Sequence, residues 1–249
     1  MTAASQTGPV SDEGRTRRVA VLAPMKPELR PFVKAAGLER DPAVTTGGAV
    51  YRGSVPGAEV VALMTGIGMA AATSAVERAL TLGACDHVLV VGIAGGIDPD
   101  LRIGDVVVPK VVVDGRSGTE YESAPLGPRS PSGRVISSDD LLSHPDEQAA
   151  LVAQGVTAVD METGAVAAVC QARGIPWTAF RGISDHGVED GVDDSMLALS
   201  RPDGTANAGA VARYVLTKPW RVPTLAKLGR DMQRAVDAAV RTSLRALAS

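Results

Sequence analysis

Four carboxylates in this sequence stand where a strand-like run ends or where every neighbour is small and apolar. They are Glu28 in "APMKPELRP", Asp160 and Glu162 in "TAVDMETGAVAAVC", and Asp185 in "FRGISDHG". A carboxylate removed from water costs free energy unless it is paired or hydrogen-bonded, so each position asks for a reason. Glu28 could be an exposed helix residue, Glu162 an acid favoured by a helix N-terminus, and Asp185 a turn or cap residue. Taken together, they could instead be a set of acids and bases for bond cleavage. Strand alternation puts Asp160 opposite Met161. That suggests Asp160 supports structure while Glu162 meets a ligand, the two not acting as a pair.

Two glycine motifs offer further chemistry. In "TGIGMAA", Gly66, Gly68 and Ala71 match the G-x-G-x-x-A form of a dinucleotide-binding turn. That reading wants an acid after the next strand, and Asp86 sits before "HVLVVG" instead. In "GIAGGI", Gly92 to Ile97, glycines end a strand and could expose N–H groups to an anion or a sugar. They could equally make only a tight turn.

The elements that must position these residues follow from periodicity. Continuous apolar, β-branched runs occur at 18–24, 58–66, 87–95, 104–113, 134–138, 156–161 and 177–184; they read as strands covered on both faces. Helical segments lie between many of them, "MKPELRPFVKAAG", "GMAAATSAVERALTLG" and "ETGAVAAVCQARG" among them. This alternation predicts a mostly parallel sheet flanked by helices. Ligands in such sheets bind beyond the carboxyl ends of the strands. If the strands before Glu28, Glu162 and Asp185 all run parallel, the three acids converge there with Gly66 and Gly95. The polar stretch 114–133 reads as a hairpin followed by a loop, 186–208 as a second polar loop, and 222–247 as a long helix.

Composition bounds the rest. The chain has 249 residues, 45% hydrophobic and 21% charged, with only 3% aromatic, so its core is built from Val, Ala, Leu and Ile. A net charge of −3 gives no general attraction to nucleic acid or to an anionic membrane surface. No stretch reaches the roughly 18 apolar residues of a membrane span. Residues 1–17 are polar and lack the apolar segment of a secretory signal. They are expected to be a disordered leader, with one domain over 18–249 and a cytoplasmic location. Cys85 and Cys170 are then expected as reduced thiols.

"AVDMETGAVAAVC" followed by "IPWTAFRGISDHG" resembles the paired signature of the purine and uridine phosphorylase superfamily. "TGIG", "GIAGGI", "LRIGDVVV" and "ISSDD" fall in the family's order, and the chain is most similar to the methylthioadenosine/S-adenosylhomocysteine nucleosidase branch. The resemblance implies a three-layer α/β sandwich around a central mixed sheet. It implies that Glu162 binds the ribose hydroxyls, Met161 packs on the sugar, and Asp185 serves the purine with Ser184 beside it. Glu28 matches the glutamate that activates water. Ile93 stands where the nucleosidases carry Ser or Thr, and Leu141 where the family often stacks an aromatic on the base. The family also implies a small-molecule nucleoside as partner and a homo-oligomer, a dimer in first place, with no cofactor and no metal.

The chemistry accounts for these residue types. A purine leaves poorly as an anion, so a protonated Asp185 near N7 would act as general acid, and it would do so best where solvation is poor. The ribosyl group becomes oxocarbenium-like, and Glu162 would hold its hydroxyls while adding negative charge nearby. The nucleophile could be water or phosphate. Phosphorylases of the family hold phosphate with arginines after the first strand and before the glycine turn; here those places read "APMKPELRP" and "VLVV". This favours water, with Arg30 and Arg52 unassigned. The expected function is hydrolysis of the ribose–base bond of a 5′-substituted, adenosine-type nucleoside. Phosphorolysis and non-catalytic nucleoside or dinucleotide binding are the alternatives. Ile93, Leu141 and the short segment before "ISSDD" point to a larger or more apolar 5′ group, as in relatives acting on adenosylhopane or futalosine.

Overall fold

A computed structural model describes residues 16–83, 85–140, 144–187, 199, 201, 203–205 and 207–249. The expected leader falls almost wholly outside them, as does Leu141. Among the described residues, eleven strands form one mixed sheet: β1 (Arg17–Ala23), β2 (Glu39–Arg40), β3 (Val50–Val55), β4 (Ala58–Met64), β5 (His87–Gly96), β6 (Val106–Val107), β7 (Val111–Asp114), β8 (Glu120–Glu122), β9 (Arg134–Ser137), β10 (Ala158–Asp160) and β11 (Trp177–Asp185). The helices are α1 (Lys26–Ala35), α2 (Met69–Thr81), α3 (Pro145–Ala153), α4 (Thr163–Arg173), α5 (Ala208–Thr217) and α6 (Val222–Leu247).

Alternation along β1 sets the layers. Ala20 and Leu22 face a core closed by Ala72, Val76 and Ala79 of α2 and by Val166 and Cys170 of α4. Val19, Val21 and Ala23 face the opposite core, closed by Phe32 of α1 and by Val236, Val240 and Leu247 of α6. The expected three-layer α/β sandwich is therefore the observed one. Its small residues allow close approach: a Cβ on Gly182 of β11 would lie 2.2 Å from the Ala235 carbonyl oxygen of α6. Cys85 and Cys170 are free thiols, and burial pushes Cys170 up to about 12.

The pairings β4–β1–β5–β11 are parallel, as are β10–β9 and β9–β7. The edges β2–β3–β4 and β7–β8 are antiparallel, and so is β6 against β11. The predicted hairpin after Asp114 is β7–β8. The run 104–113 is two strands rather than one, because Pro109 interrupts it between β6 and β7.

One pairing departs from the expectation in a way that matters. β10 runs antiparallel to the end of β5, Val159 opposite Gly95 and Ala158 opposite Gly96. The three acids therefore do not meet through three parallel strands. The chain leaving Asp160 instead heads back along β5 toward Gly92, and that reversal carries Glu162 to Glu28 and Arg181. "GIAGGI" is likewise not a turn: Gly92 to Gly96 continue β5, pairing with β11 and then β10.

Candidate active site

The site is organised by a residue the sequence reading passed over. Arg181 lies in the middle of β11 and is fully buried. Its Nε donates to Asp160 Oδ2 (2.7 Å) and Thr163 Oγ1 (3.0 Å), and its Nη2 to Glu162 Oε2 (3.2 Å). Burial alone would lower its pKa; Asp160, Glu162 and Glu28 more than offset that and keep it charged. The signal was present in "WTAFRGIS", where one cation interrupts an apolar strand as the acids interrupt theirs.

Asp160 and Glu162 are thus a pair after all, gripping one guanidinium. Residues two apart in an extended chain share a face, and the chain keeps that relation past the end of β10. Asp160 also caps α4: its Oδ1 accepts from the N–H groups of Glu162 (3.2 Å) and Thr163 (3.1 Å). The hydroxyls of Ser137 and Thr163 donate to the same carboxylate, and Ser137 Oγ in turn accepts from Gly164 N (2.8 Å). This is the supporting role expected of Asp160. Glu162 Oε1 accepts from Gly68 N (3.0 Å), and burial raises its pKa, with Arg181 opposing.

Glu28 is buried in the first turn of α1. Its Oε2 accepts from Met25 N (2.6 Å) and its Oε1 from Ile93 N (2.8 Å). Burial pushes its pKa up to about 8, against the opposing pull of Arg181 and the two N–H groups and with help from Glu162. Gly92 separates Glu28 from Arg181. A Cβ there would lie 2.5 Å from Glu28 Oε1 and 2.6 Å from Arg181 Nη1. Nη1 is buried and has no hydrogen-bond partner among the described residues. A carboxylate and an unused N–H donor therefore close in on the glycine and leave no room for a side chain there.

At the end of β11, Asp185 Oδ2 is 2.7 Å from Ser184 Oγ, and Oδ1 accepts from Gly187 N (2.9 Å). Asp185 is half-buried rather than sealed from water. Ser184 Oγ also approaches the Ala94 carbonyl (3.4 Å). Gly95 has no room for a side chain without crowding Asp185, its missing Cβ lying 3.3 Å from Oδ1.

One cavity of about 200 Å³ joins Glu28, Asp160, Glu162, Ser184 and Asp185, while Arg181 and Gly92 do not line it. Pro24, Met25 and Glu28 line it from the start of α1, and Ile93, Gly95 and Ile97 from the end of β5. Val159 to Glu162 line it from the end of β10, and Ser184, Asp185 and Gly187 from the end of β11. Asp140 and Gln148 complete one side. Of the residues expected at the site, Glu28, Ile93, Gly95, Met161, Glu162, Ser184 and Asp185 share this wall. Gly66 does not: its φ of +84° makes the turn, its N–H is bonded to the Pro24 carbonyl, and its neighbour Ile67 faces the cavity.

The dinucleotide reading of this turn also falls. The Gly68 N–H is taken by Glu162 and the Met69 N–H at the head of α2 by Asp139 Oδ1 (2.7 Å), so the donors a pyrophosphate needs are occupied by carboxylates. Asp86 is bound to Arg18 at the start of β5. Arg30 is exposed on α1, and Arg52 pairs with Asp41 (2.6 Å) outside the cavity.

Comparison with known proteins gives a consistent placement. A chain from Tolumonas auensis called 5′-methylthioadenosine/S-adenosylhomocysteine nucleosidase is 27% identical over 199 residues, covering 68% of this chain and 86% of that one. One of the same name from Actinobacillus succinogenes is 31% identical over 167 residues, 55% and 73% of the two chains. In fold, the chain is similar to a Helicobacter pylori nucleosidase of this name solved with butyl-thio-DADMe-Immucillin-A (TM-score 0.68, 18% identity, 92% and 97% covered). It is also similar to the Helicobacter pylori futalosine hydrolase (TM-score 0.66, 19% identity, the same coverage). The family model described as "Phosphorylase superfamily" matches residues 18–131 and 119–217, and to that superfamily the chain belongs.

Proposed function

We propose that this protein is a purine nucleoside N-glycosidase that uses water to cleave the ribose–base bond of a 5′-substituted, adenosine-type nucleoside. The observation carrying the choice of water is the charge count around Gly92. One guanidinium, Arg181, faces three carboxylates, and two of them already hold it. A phosphate dianion needs cationic or N–H partners and would here meet a buried Glu28. A water molecule in the cavity that Glu28 lines can instead donate to that carboxylate.

In the mechanism, Asp185 gives a proton to N7 as the C1′–N9 bond breaks and its electron pair passes to the purine, which leaves neutral. Glu162 holds the 2′- and 3′-hydroxyls and stabilises the cationic ribosyl group. Water attacks C1′ and its proton passes to Glu28. The products are the free base and the 5′-substituted ribose. Ser184 and the Gly187 N–H orient Asp185, as Gly68 and Arg181 orient Glu162.

The names of the relatives supply the first compounds to try. Methylthioadenosine, S-adenosylhomocysteine, futalosine, adenosine and inosine are incubated with wild type and with Asp185→Asn, and the base is assayed. Base release from a 5′-substituted nucleoside, lost in Asp185→Asn with the melting temperature retained, is the expected result. Binding without turnover in the wild type would contradict it.

A further inference from the structure

A tight turn sits on the outer side of the catalytic corner. The Gly204 N–H donates to the Arg201 carbonyl and the Arg201 N–H to the Thr205 carbonyl, both at 2.8 Å. Asp203 Oδ1 accepts from Thr205 N (3.0 Å) and Thr205 Oγ1 (2.6 Å). Those two bonds, with Lys26 nearby, hold the Asp203 carboxyl below its usual range. The Asn207 N–H donates to the Leu199 carbonyl (2.7 Å), closing the base of the turn.

This turn is docked on the first residues of α1. The Asp203 carbonyl accepts from Lys26 N (2.8 Å), and Asp203 Oδ2 lies 3.5 Å from Lys26 Nζ. Gly204, at φ +74°, abuts Met25 so closely that a Cβ would lie 2.4 Å from Met25 Cβ and Cγ. The opening N–H groups of a helix lack partners within it. Here the Met25 N–H goes to Glu28, the Lys26 N–H goes to Asp203, and Pro27 has none. Met25 lines the cavity on its other side.

We propose that this turn is a clasp for the catalytic corner, with Asp203 a positioning residue that seats Met25 against the substrate and its N–H on Glu28. The proposal rests on the nucleosidase reading. The Lys26–Asp203 ion pair is partly exposed and long at 3.5 Å, and contributes little by itself. The carboxylate acts chiefly by fixing the turn, as Asx side chains do when they bond the backbone two residues on. That fixed turn presents the Asp203 carbonyl to α1.

The full chain is tested with Asp203→Ala and Asp203→Asn. Hydrogen exchange of residues 24–29 requires no substrate. Faster exchange in Asp203→Ala, with Asp203→Asn near wild type, is expected, and unchanged exchange in Asp203→Ala overturns the clasp. The second readout is the pH profile of kcat/KM for base release. Glu28 is faced by Arg181 of β11, Glu162 at the head of α4, and the Ile93 N–H of β5, none of which these variants touch. Loosening the Met25 N–H removes a donor to the ionised carboxylate. The acid limb should therefore move to higher pH, lowering kcat/KM near neutrality by about tenfold. A uniform loss at every pH, with no shift of the limb, overturns the positioning role. If Asp203→Ala fails to fold, Thr205→Val, which removes one donor to Oδ1, is read in the same two ways. If wild type releases no base from any nucleoside, the nucleosidase reading falls while the exchange arm still decides the clasp.

Discussion

Glu28 carries two properties that pull against each other. Its burial favours the neutral acid, while its proposed task as a base needs the carboxylate. Because its pKa is raised to about 8 in the fold, above the ordinary 4.5, its stabilising effect is full below about pH 4.5. That effect is lost as pH rises through about 8. Glu28→Gln cannot ionise, so calorimetry should find it melting above wild type at pH 8.5 with little difference at pH 5. Its base release should fall on the order of 10²- to 10⁴-fold. In wild type, kcat/KM should rise with pH through the same region as the base deprotonates; a flat profile there would take Glu28 out of the reaction. Gly92→Ala tests the neighbouring claim. Its methyl would stand 2.5 Å from Glu28 and 2.6 Å from Arg181, both fully buried and unable to yield. Overpacking of this kind costs about 1–3 kcal/mol, but the loss of kcat/KM should exceed what the drop in melting temperature accounts for. Near-normal turnover would mean that the reaction does not depend on the placement of Glu28 beside Arg181.

The strands around these residues bear a second titration, at the opposite end of β5. His87 is buried, and its Nε2 lies 2.8 Å from Thr178 Oγ1 of β11, whose hydroxyl donates to the Ala124 carbonyl (2.6 Å). Burial, with Arg17 nearby, lowers the imidazole to about 4. A base depressed in this way contributes stability above its unfolded pKa near 6.5, and that contribution is lost as pH falls through about 4. Urea midpoints should therefore drop as pH goes from 6.5 to 4, and His87→Gln, which keeps a donor toward Thr178, should flatten the slope. An equal slope in both proteins would assign the acid sensitivity elsewhere. At this scale the sequence was legible where patterns were long. The runs at 18–24, 58–66, 87–95 and 177–184 stand as β1, β4, β5 and β11, and the helices expected after the first, the second and the Asp160 strand stand as α1, α2 and α4. The antiparallel strands β2 and β3 were not legible, because β3 mixes Tyr51, Arg52 and Gly53 into its span and β2 is only two residues long. Helix α3 escaped for a related reason: it has no buried residue and so no apolar stripe to betray it. Arg181 was hidden by a different cause, since its partners come from β10 and α4 and local spacing cannot announce a contact made across the sheet.

The whole molecule is a three-layer sandwich, and the cavity lies where β10 meets the end of β5 in the opposite sense. β1 and β11 bring Glu28 and Asp185 along β5 in one sense, and β10 brings Glu162 back in the other. Three acids with separate proposed tasks are thereby held on three elements, each oriented by its own backbone donors. The same arrangement surrounds a single guanidinium with an excess of negative charge, which is the basis for choosing water over phosphate. The most direct test follows the initial rate of base release from the best nucleoside substrate in phosphate-free buffer and across added phosphate at constant ionic strength. The rate should be the same with and without phosphate, with 5′-substituted ribose and no ribose 1-phosphate as product. Release that requires phosphate, or ribose 1-phosphate among the products, would contradict this account.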